Sequence, residues 1–439
     1  MSWVLQATLP WQEPPAFAEA FAGSDMALLY SGLRDQASGR YSYLFVDVME
    51  VREDSEWAQL PALPTQGDAL PLWVGYLGYG MRETRERGGD STVHLPDFRL
   101  VRYGTMYQFD HEMNVISHYC SLRPGSVPQV AEGQSIHLGQ EKKDRLPRFP
   151  RNDVKIQNLA SNLSRSEYES IVTDTIEHIR AGDFYQANIT RKFFGKFAET
   201  PDSWQIYTKL CAASPAPYSA YIRNGHTAIL SSSPECFLSV DTAGMMVTRP
   251  IKGSARRSED ASEDTKIREA LARSRKNHAE NLMIVDLMRN DLSRVAEPTS
   301  VKVTEQSGLY SYATIHHLIS TITAQKKATV NVYEAVRACF PAGSMTGAPK
   351  IAAVKWCGGR EKLERGVYSG AIGWFGANDT CDLSVVIRTL IIEGERFEFQ
   401  VGGGIVADST PEDEWRETIT KARGILAALG LAEEELVKL

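Results

Sequence analysis

Along residues 164–182, Ile171, Val172, Thr175, Ile176 and Ile179 fall on one stripe at helical spacing. Ser164 with Glu167 three residues on is a capping-box pattern, and Gly182 is a fitting stop. Earlier in the chain the apolar runs are short, as in Ala27-Leu28-Leu29-Tyr30 and Tyr43-Leu44-Phe45-Val46, and predict strands. Residues 73–80 alternate large side chains with glycine, which suggests a strand closely approached by another backbone. Residues 218–252 read as strands, and residues 368–375, 382–392 and 397–401 as antiparallel strands. One long helix is predicted over 264–292, buried where Leu282-Met283-Ile284-Val285 is apolar on most sides. Thr410 and Pro411, followed by Glu412 and Asp413, open a last helix.

Residues 121–163 hold Pro124, Pro128, Pro147 and Pro150 with little periodicity and read as a linker. The organisation that follows is a β-rich region over 1–120, that linker, and a larger region over 164–439. Residues 82–90 look like a charged surface loop, and no internal repeat or low-complexity tract is evident.

At 439 residues the chain is too long for one simple core. A net charge of −7 argues against a nucleic-acid surface, though a local cationic cluster could still hold a small anion. The six cysteines are scattered without a C-x-x-C pair, which suits free thiols in a cytoplasmic protein rather than a disulfide or zinc framework. The first residues lack a basic and apolar leader, and no apolar stretch approaches the length of a membrane span, so no membrane association is expected.

Several residues could carry chemistry. Lys252 lies in Pro250-Ile251-Lys252-Gly253-Ser254, between a stiff approach and a permissive turn. It is either a solvated turn lysine or a desolvated nucleophile. Gly402-Gly403-Gly404 at a strand end is a bulge or an anion cradle. It formally begins a dinucleotide fingerprint, which fails because no second strand follows. Residues 341–350 offer exposed amides and Lys350 before a helix, suited to a carboxylate, although the spacing is wrong for a phosphate loop. Glu280 is either partnered structurally or a metal ligand, and Glu417 with Lys421 four residues on can be a surface ion pair. Of His316 and His317 at most one faces a given site, and Arg388 within a strand needs an anion, a carboxylate or solvent.

Taken together, these pieces resemble the chorismate-utilising enzymes. The resemblance rests on Ser232-Ser233-Pro234-Glu235, Arg249-Pro250-Ile251-Lys252-Gly253, Asn281-Leu282-Met283-Ile284-Val285-Asp286-Leu287, His317-Leu318, residues 341–350, Tyr368-Ser369-Gly370, Ile387-Arg388-Thr389, Gly402-Gly403-Gly404 and Glu414-Trp415 with Glu417 and Lys421. It runs in family order from about residue 165 to the end and is weaker before that. The isochorismate and salicylate synthases place a lysine base where this chain has Gln186, and anthranilate synthases have alanine where it has Lys252. Lysine there marks the branch that aminates chorismate at C4. Ser254 stands where threonine is usual.

The resemblance implies an α+β fold of two large antiparallel sheets packed face to face with helices outside. It implies Mg²⁺ held by Glu280 and Glu417, Glu235 as proton donor to the C4 hydroxyl, and Lys252 as covalent nucleophile at C2. Arg388, His317, Tyr368, Lys350, Lys421 and Gly402, Gly403 and Gly404 would hold the carboxylates of chorismate. No glutaminase Cys-His-Glu site is evident, so ammonia would come from a separate glutamine amidotransferase subunit or from solution. Several relatives hold tryptophan near the segment matching Ser31. The competing readings are an anthranilate synthase that carries lysine and a non-catalytic binder of chorismate or tryptophan.

Overall fold

Apolar runs that do not alternate belong in strands covered on both faces. Met26–Tyr30 and Tyr41–Asp54 are such strands: Leu28, Leu44 and Val46 join one core cluster, while Ala27 and Phe45 join another. The computed structural model describes residues 3–33, 39–67, 69–82, 92–121, 154–312 and 315–439.

The strands form one continuous antiparallel ladder. Its first arm runs from Lys302–Ser311 through Ile315–Gln325, Met245–Arg249 with its continuation Ile251–Arg256, Cys236–Val240, Cys381–Val385, Ala371–Gly376 and Pro71–Leu77 to Phe98–Asp110. Its second arm continues through Tyr41–Asp54, Met26–Tyr30, Tyr218–Asn224, Thr227–Ser233, Thr389–Glu393 and Arg396–Ile405 to Gln186–Phe197. The arms pack face to face. Val74, Tyr76 and Ile372 of the first share a buried cluster with Ala27, Ile222, Ile229 and Ile391 of the second.

Helices cover the outer faces. Ile284, Val285 and Met288 of Arg275–Ser293 pack with Leu238 and Ile322. Ile419 and Ile425 of Pro411–Leu429 pack with Tyr207, Leu230 and Phe399. The α+β arrangement implied by the resemblance is therefore present, its two sheets being the arms of one ladder.

Local signals held where capping chemistry was explicit. Ser164 and Glu167 form the reciprocal capping box of helix Arg165–Ala181, and Gly182 closes it at φ 94°. Thr410 caps Pro411–Leu429 by accepting from the Asp413 amide, and a short helix, Glu433–Val437, follows it.

Three expectations change. The helix expected over 264–292 is two helices, Ala261–Ala272 and Arg275–Ser293, because Ser274 accepts from the Asn277 amide and starts a new one. Within the expected linker, residues 122–153 lie outside the described residues, and Ile156–Ser161 is a strand paired with Gln186–Phe197. Gly402, Gly403 and Gly404 continue their strand in register opposite Thr190, Ile189 and Asn188, without a bulge. The charged loop at 82–90 also lies outside the described residues beyond Arg82. All six cysteines are free thiols, and no helix among the described residues is long and apolar enough to cross a membrane.

Candidate active site

Lys252 lies on Ile251–Arg256, which continues Met245–Arg249 past Pro250 along the same side of Ile315–Gln325. Gly253 behind it adopts φ 89°, a left-handed conformation that a side chain would strain, and this breaks the regular side-chain alternation next to the lysine. The Lys252 ammonium makes no hydrogen bond with a described residue. Burial pulls its pKa below the ordinary value, and Lys421 adds to that, while Glu280, Glu235 and Glu417 oppose it.

Glu235 sits in the short connection between Thr227–Ser233 and Cys236–Val240 and is 5% exposed. Burial pushes its carboxyl up to about 7, against the Ser344 side chain, the Lys252 charge, the Ile251 amide and the Lys421 charge. A carboxyl of that kind is poised to give up a proton at neutral pH.

The far end of the ladder closes onto this pair. A β-carbon on Gly404 would lie 2.9 Å from the Lys252 Nζ and would collide with the Gln186 amide, and one on Gly403 would meet Glu414 Oε2. Only glycine leaves that space open. The strand Thr389–Glu393 pairs with Arg396–Ile405 only as far as Phe399. The edge at the glycines is therefore open, and Lys421 Nζ reaches it, donating to the Gly402 carbonyl at 2.7 Å. Since ladder groups alternate in direction, Gly404 presents its amide on that same edge. An anion cradle at these glycines would be an open strand edge rather than a turn.

Two helices carry three carboxylates of interest, Glu280 on Arg275–Ser293 and Glu414 and Glu417 on Pro411–Leu429. Glu280, half-buried on Arg275–Ser293, has no hydrogen bond or ion pair with a described residue, and its charge acts on Lys252. Glu417 forms an ion pair with Lys421 at 2.6 Å, and Lys421 holds its carboxyl below the usual range. Glu414 is buried and accepts from the Ser409 hydroxyl at 2.6 Å, and its other oxygen has no partner. Burial, then the charge of Glu417, pushes Glu414 up. Among the described residues no three His, Cys, Asp or Glu side chains form a ready metal cage. The unpartnered Glu280, the orphaned Glu414 oxygen and the ionised Glu417 nevertheless suit Mg²⁺, which takes one or two carboxylates and keeps waters.

Arg388 lies at the turn between Cys381–Val385 and Thr389–Glu393 at φ 51°. Its guanidinium makes no hydrogen bond or ion pair with a described residue; burial lowers its pKa and Glu235 opposes that. His317 is 1% exposed, and burial, then the charge of Arg388, pulls it down to about 3. Its neighbour His316 serves the opposite face, touching Ser311 Oγ at 2.8 Å and Asp264 Oδ1 at 3.1 Å.

Two expected substrate contacts are not brought in. Lys350 is a correction: its ammonium is committed to the Cys339 and Pro341 carbonyls and to Asp291, each at 2.7 Å, leaving no donor for a ligand. Tyr368 packs in the core cluster with Phe375 and Ala371, and burial raises its hydroxyl, with Arg365 and Glu361 as its charged neighbours. The Ser31 hydroxyl donates to the Tyr41 carbonyl at 3.0 Å and its amide to Ser42 Oγ at 3.0 Å.

Sequence reading gave no site role to Glu414 and treated Gln186 only as a missing base. Gln186 is fully buried with neither amide atom hydrogen-bonded, beside Lys252 and Gly404. An orphaned buried amide points to a ligand or water that completes it. A cavity of about 490 Å³ between Trp3, Trp73, Glu50 and Arg52 lies elsewhere and lacks these groups.

Residues 16–427 match the model of a family described as chorismate binding enzyme. The chain is 44% identical over 389 residues to aminodeoxychorismate synthase of Streptomyces griseus, covering 85% of this chain and 53% of that protein. It is 37% identical over 368 residues to aminodeoxychorismate synthase component 1 of Escherichia coli, covering 84% and 78%. The chain therefore spans about half the length of its Streptomyces relative. It also superposes on anthranilate synthase component I of Streptococcus pneumoniae with a TM-score of 0.75 and 27% identity, covering 90% and 93% of the two chains.

Proposed function

We propose, from the premise that this chain belongs to the chorismate-binding enzyme family, that it aminates chorismate at C4 to give 4-amino-4-deoxychorismate, as the names of its relatives suggest. The product would feed p-aminobenzoate and folate synthesis. One observation carries the reading: a desolvated lysine stands between a buried carboxyl held near 7 and an open glycine edge.

The neutral Lys252 amine adds to C2 of the ring. The ring double bonds shift and the C4–O bond breaks. Glu235 gives its proton to the departing hydroxyl, which leaves as water. Ammonia then adds at C4, the double bonds shift back, and the C2–N bond to Lys252 breaks to restore the free amine. Glu235 recovers a proton from the new ammonium group. Arg388, His317, Lys421 and the open edge at Gly402 and Gly404 hold the two carboxylates, so an acidic protein binds a dianion through a local cluster of donors. Mg²⁺ bound by Glu280 and Glu417 would neutralise a substrate carboxylate and fix its orientation. Gln186 cannot take a proton from water, which disfavours hydration at C2.

Ammonia is supplied by a separate glutamine amidotransferase subunit in the cytoplasm. A tryptophan site near Ser31 would be distinct from this centre. Product identification from chorismate, Mg²⁺ and ammonium salt tests the reading. Aminodeoxychorismate is the expected product. Fluorescent anthranilate with released pyruvate would overturn it in favour of the anthranilate branch, and binding without turnover in favour of a regulator.

A further inference from the structure

His316 and His317 are neighbours on one strand, yet their ring nitrogens are fixed differently. Both nitrogens of His316 have partners, Ser311 and Asp264. His317 has one: its Nδ1 lies 2.6 Å from the Ser254 hydroxyl, directly across the ladder. Its Nε2 makes no hydrogen bond with a described residue. The ring is 1% exposed and held edge-to-face against Tyr312, with centroids 5.9 Å apart, so it cannot swing to find another partner.

A neutral imidazole carries one N–H, and the partner of one nitrogen decides which nitrogen holds it. If Nδ1 donated to Ser254, a bare lone pair on Nε2 would face the substrate. Carboxylates offer only acceptor oxygens, so that tautomer would repel the ligand. If Ser254 donates to Nδ1, the Nε2–H becomes a donor beside Arg388, whose charge acts on the same ring. We propose that Ser254 is a positioning residue: its hydroxyl donates to Nδ1 and holds His317 in the tautomer that presents Nε2–H to a carboxylate of the bound substrate. Ser254 is itself exposed, so removing its hydroxyl opens no buried cavity. The site needs a hydroxyl at this position rather than a particular side chain.

The inference rests on the proposed chorismate site, but its main readout does not require turnover. Label the full chain with nitrogen-15 histidine and record the ring nitrogens of His317 without substrate, assigning them with His317→Asn. The expected spectrum has a protonated Nε2 and an unprotonated Nδ1. Ser254→Ala loses that fixed tautomer and raises KM for chorismate about tenfold with a smaller change in kcat. Ser254→Thr keeps both the tautomer and the KM.

A wild-type ring protonated at Nδ1 overturns the proposal, as does a tautomer that survives Ser254→Ala. A lower melting temperature in Ser254→Ala with the tautomer unchanged makes the serine structural only, which also overturns it. If Ser254→Ala does not fold, the wild-type spectrum and Ser254→Thr decide. A product other than aminodeoxychorismate alongside the expected spectrum would sink the function reading and leave the tautomer assignment standing.

Discussion

Gly404→Ala is the sharpest probe of how the two ends of the ladder cooperate. The added methyl group would sit 2.9 Å from Lys252 Nζ and collide with the Gln186 amide. Ordinary contact begins near 3.4 Å, so the ammonium must retreat by about half an ångström. Gln186 is fully buried and has little room to yield. Overpacking of this kind costs about 1–3 kcal/mol, and if it falls on the reacting amine the rate drops about 5- to 150-fold. Displacements of this order at reacting atoms have effects of that size.

Gly402→Ala is the control. Its methyl group meets the Ile189 carbonyl and Thr190 at 2.7 Å, away from the lysine, so it should lower the melting temperature more than the chemistry. The assay is rapid quench with chorismate and Mg²⁺ in ammonia-free buffer, followed by intact mass, to time formation of the protein adduct. If Gly404→Ala forms adduct at the wild-type rate, or if both variants lose only stability, the glycine edge does not set the nucleophile's position.

The adduct itself should weigh chorismate minus water, map to the peptide holding Lys252 and be absent from Lys252→Ala; an adduct that persists there names another nucleophile. Glu280→Gln and Glu417→Gln should each nearly abolish turnover while leaving the melting temperature within a few degrees, and full activity in excess chelator would refute a metal at these residues. Glu235 has a folded pKa raised to about 7, so its stabilising contribution is present at low pH and lost as pH rises through that value. Glu235→Gln should therefore stabilise the protein at pH 8, by at most about 3 kcal/mol, and have little effect at pH 5; equal melting shifts at both pH values would refute the buried carboxyl. The chain should use ammonium salt at alkaline pH but not glutamine, and glutamine-dependent turnover by the pure chain would reveal an amidotransferase site within these 439 residues.

What could be read from the sequence was local chemistry. The capping box at Ser164, the cap and proline at Thr410 and Pro411, and the turn glycine after Lys252 each depend on neighbours within a few residues. The break at Ser274 was hidden because no proline or glycine separates the two helices, Ala261–Ala272 and Arg275–Ser293. Lys350 looked like a ligand group because its three acceptors come from Asp291, Cys339 and Pro341, contacts that spacing does not reveal. Gln186 and Glu414 gained their meaning only through burial without partners, a property of the packed molecule. The pairing of distant strands, which brings residue 252 to residue 404, left no periodic trace.

That pairing has a mechanical side. The ladder bends back so that its two arms meet, as a clasp does, and Lys252 stands on one jaw while the glycine edge forms the other. The spring of the clasp is Tyr41–Asp54 and Phe98–Asp110, far along the chain and without a chemical role. The gap between the jaws is held both by these strands and by the direct crossovers between the arms at residues 234–235 and 386–388. The N-terminal strands therefore act as a brace on that gap, remote in sequence from the residues on either side of it.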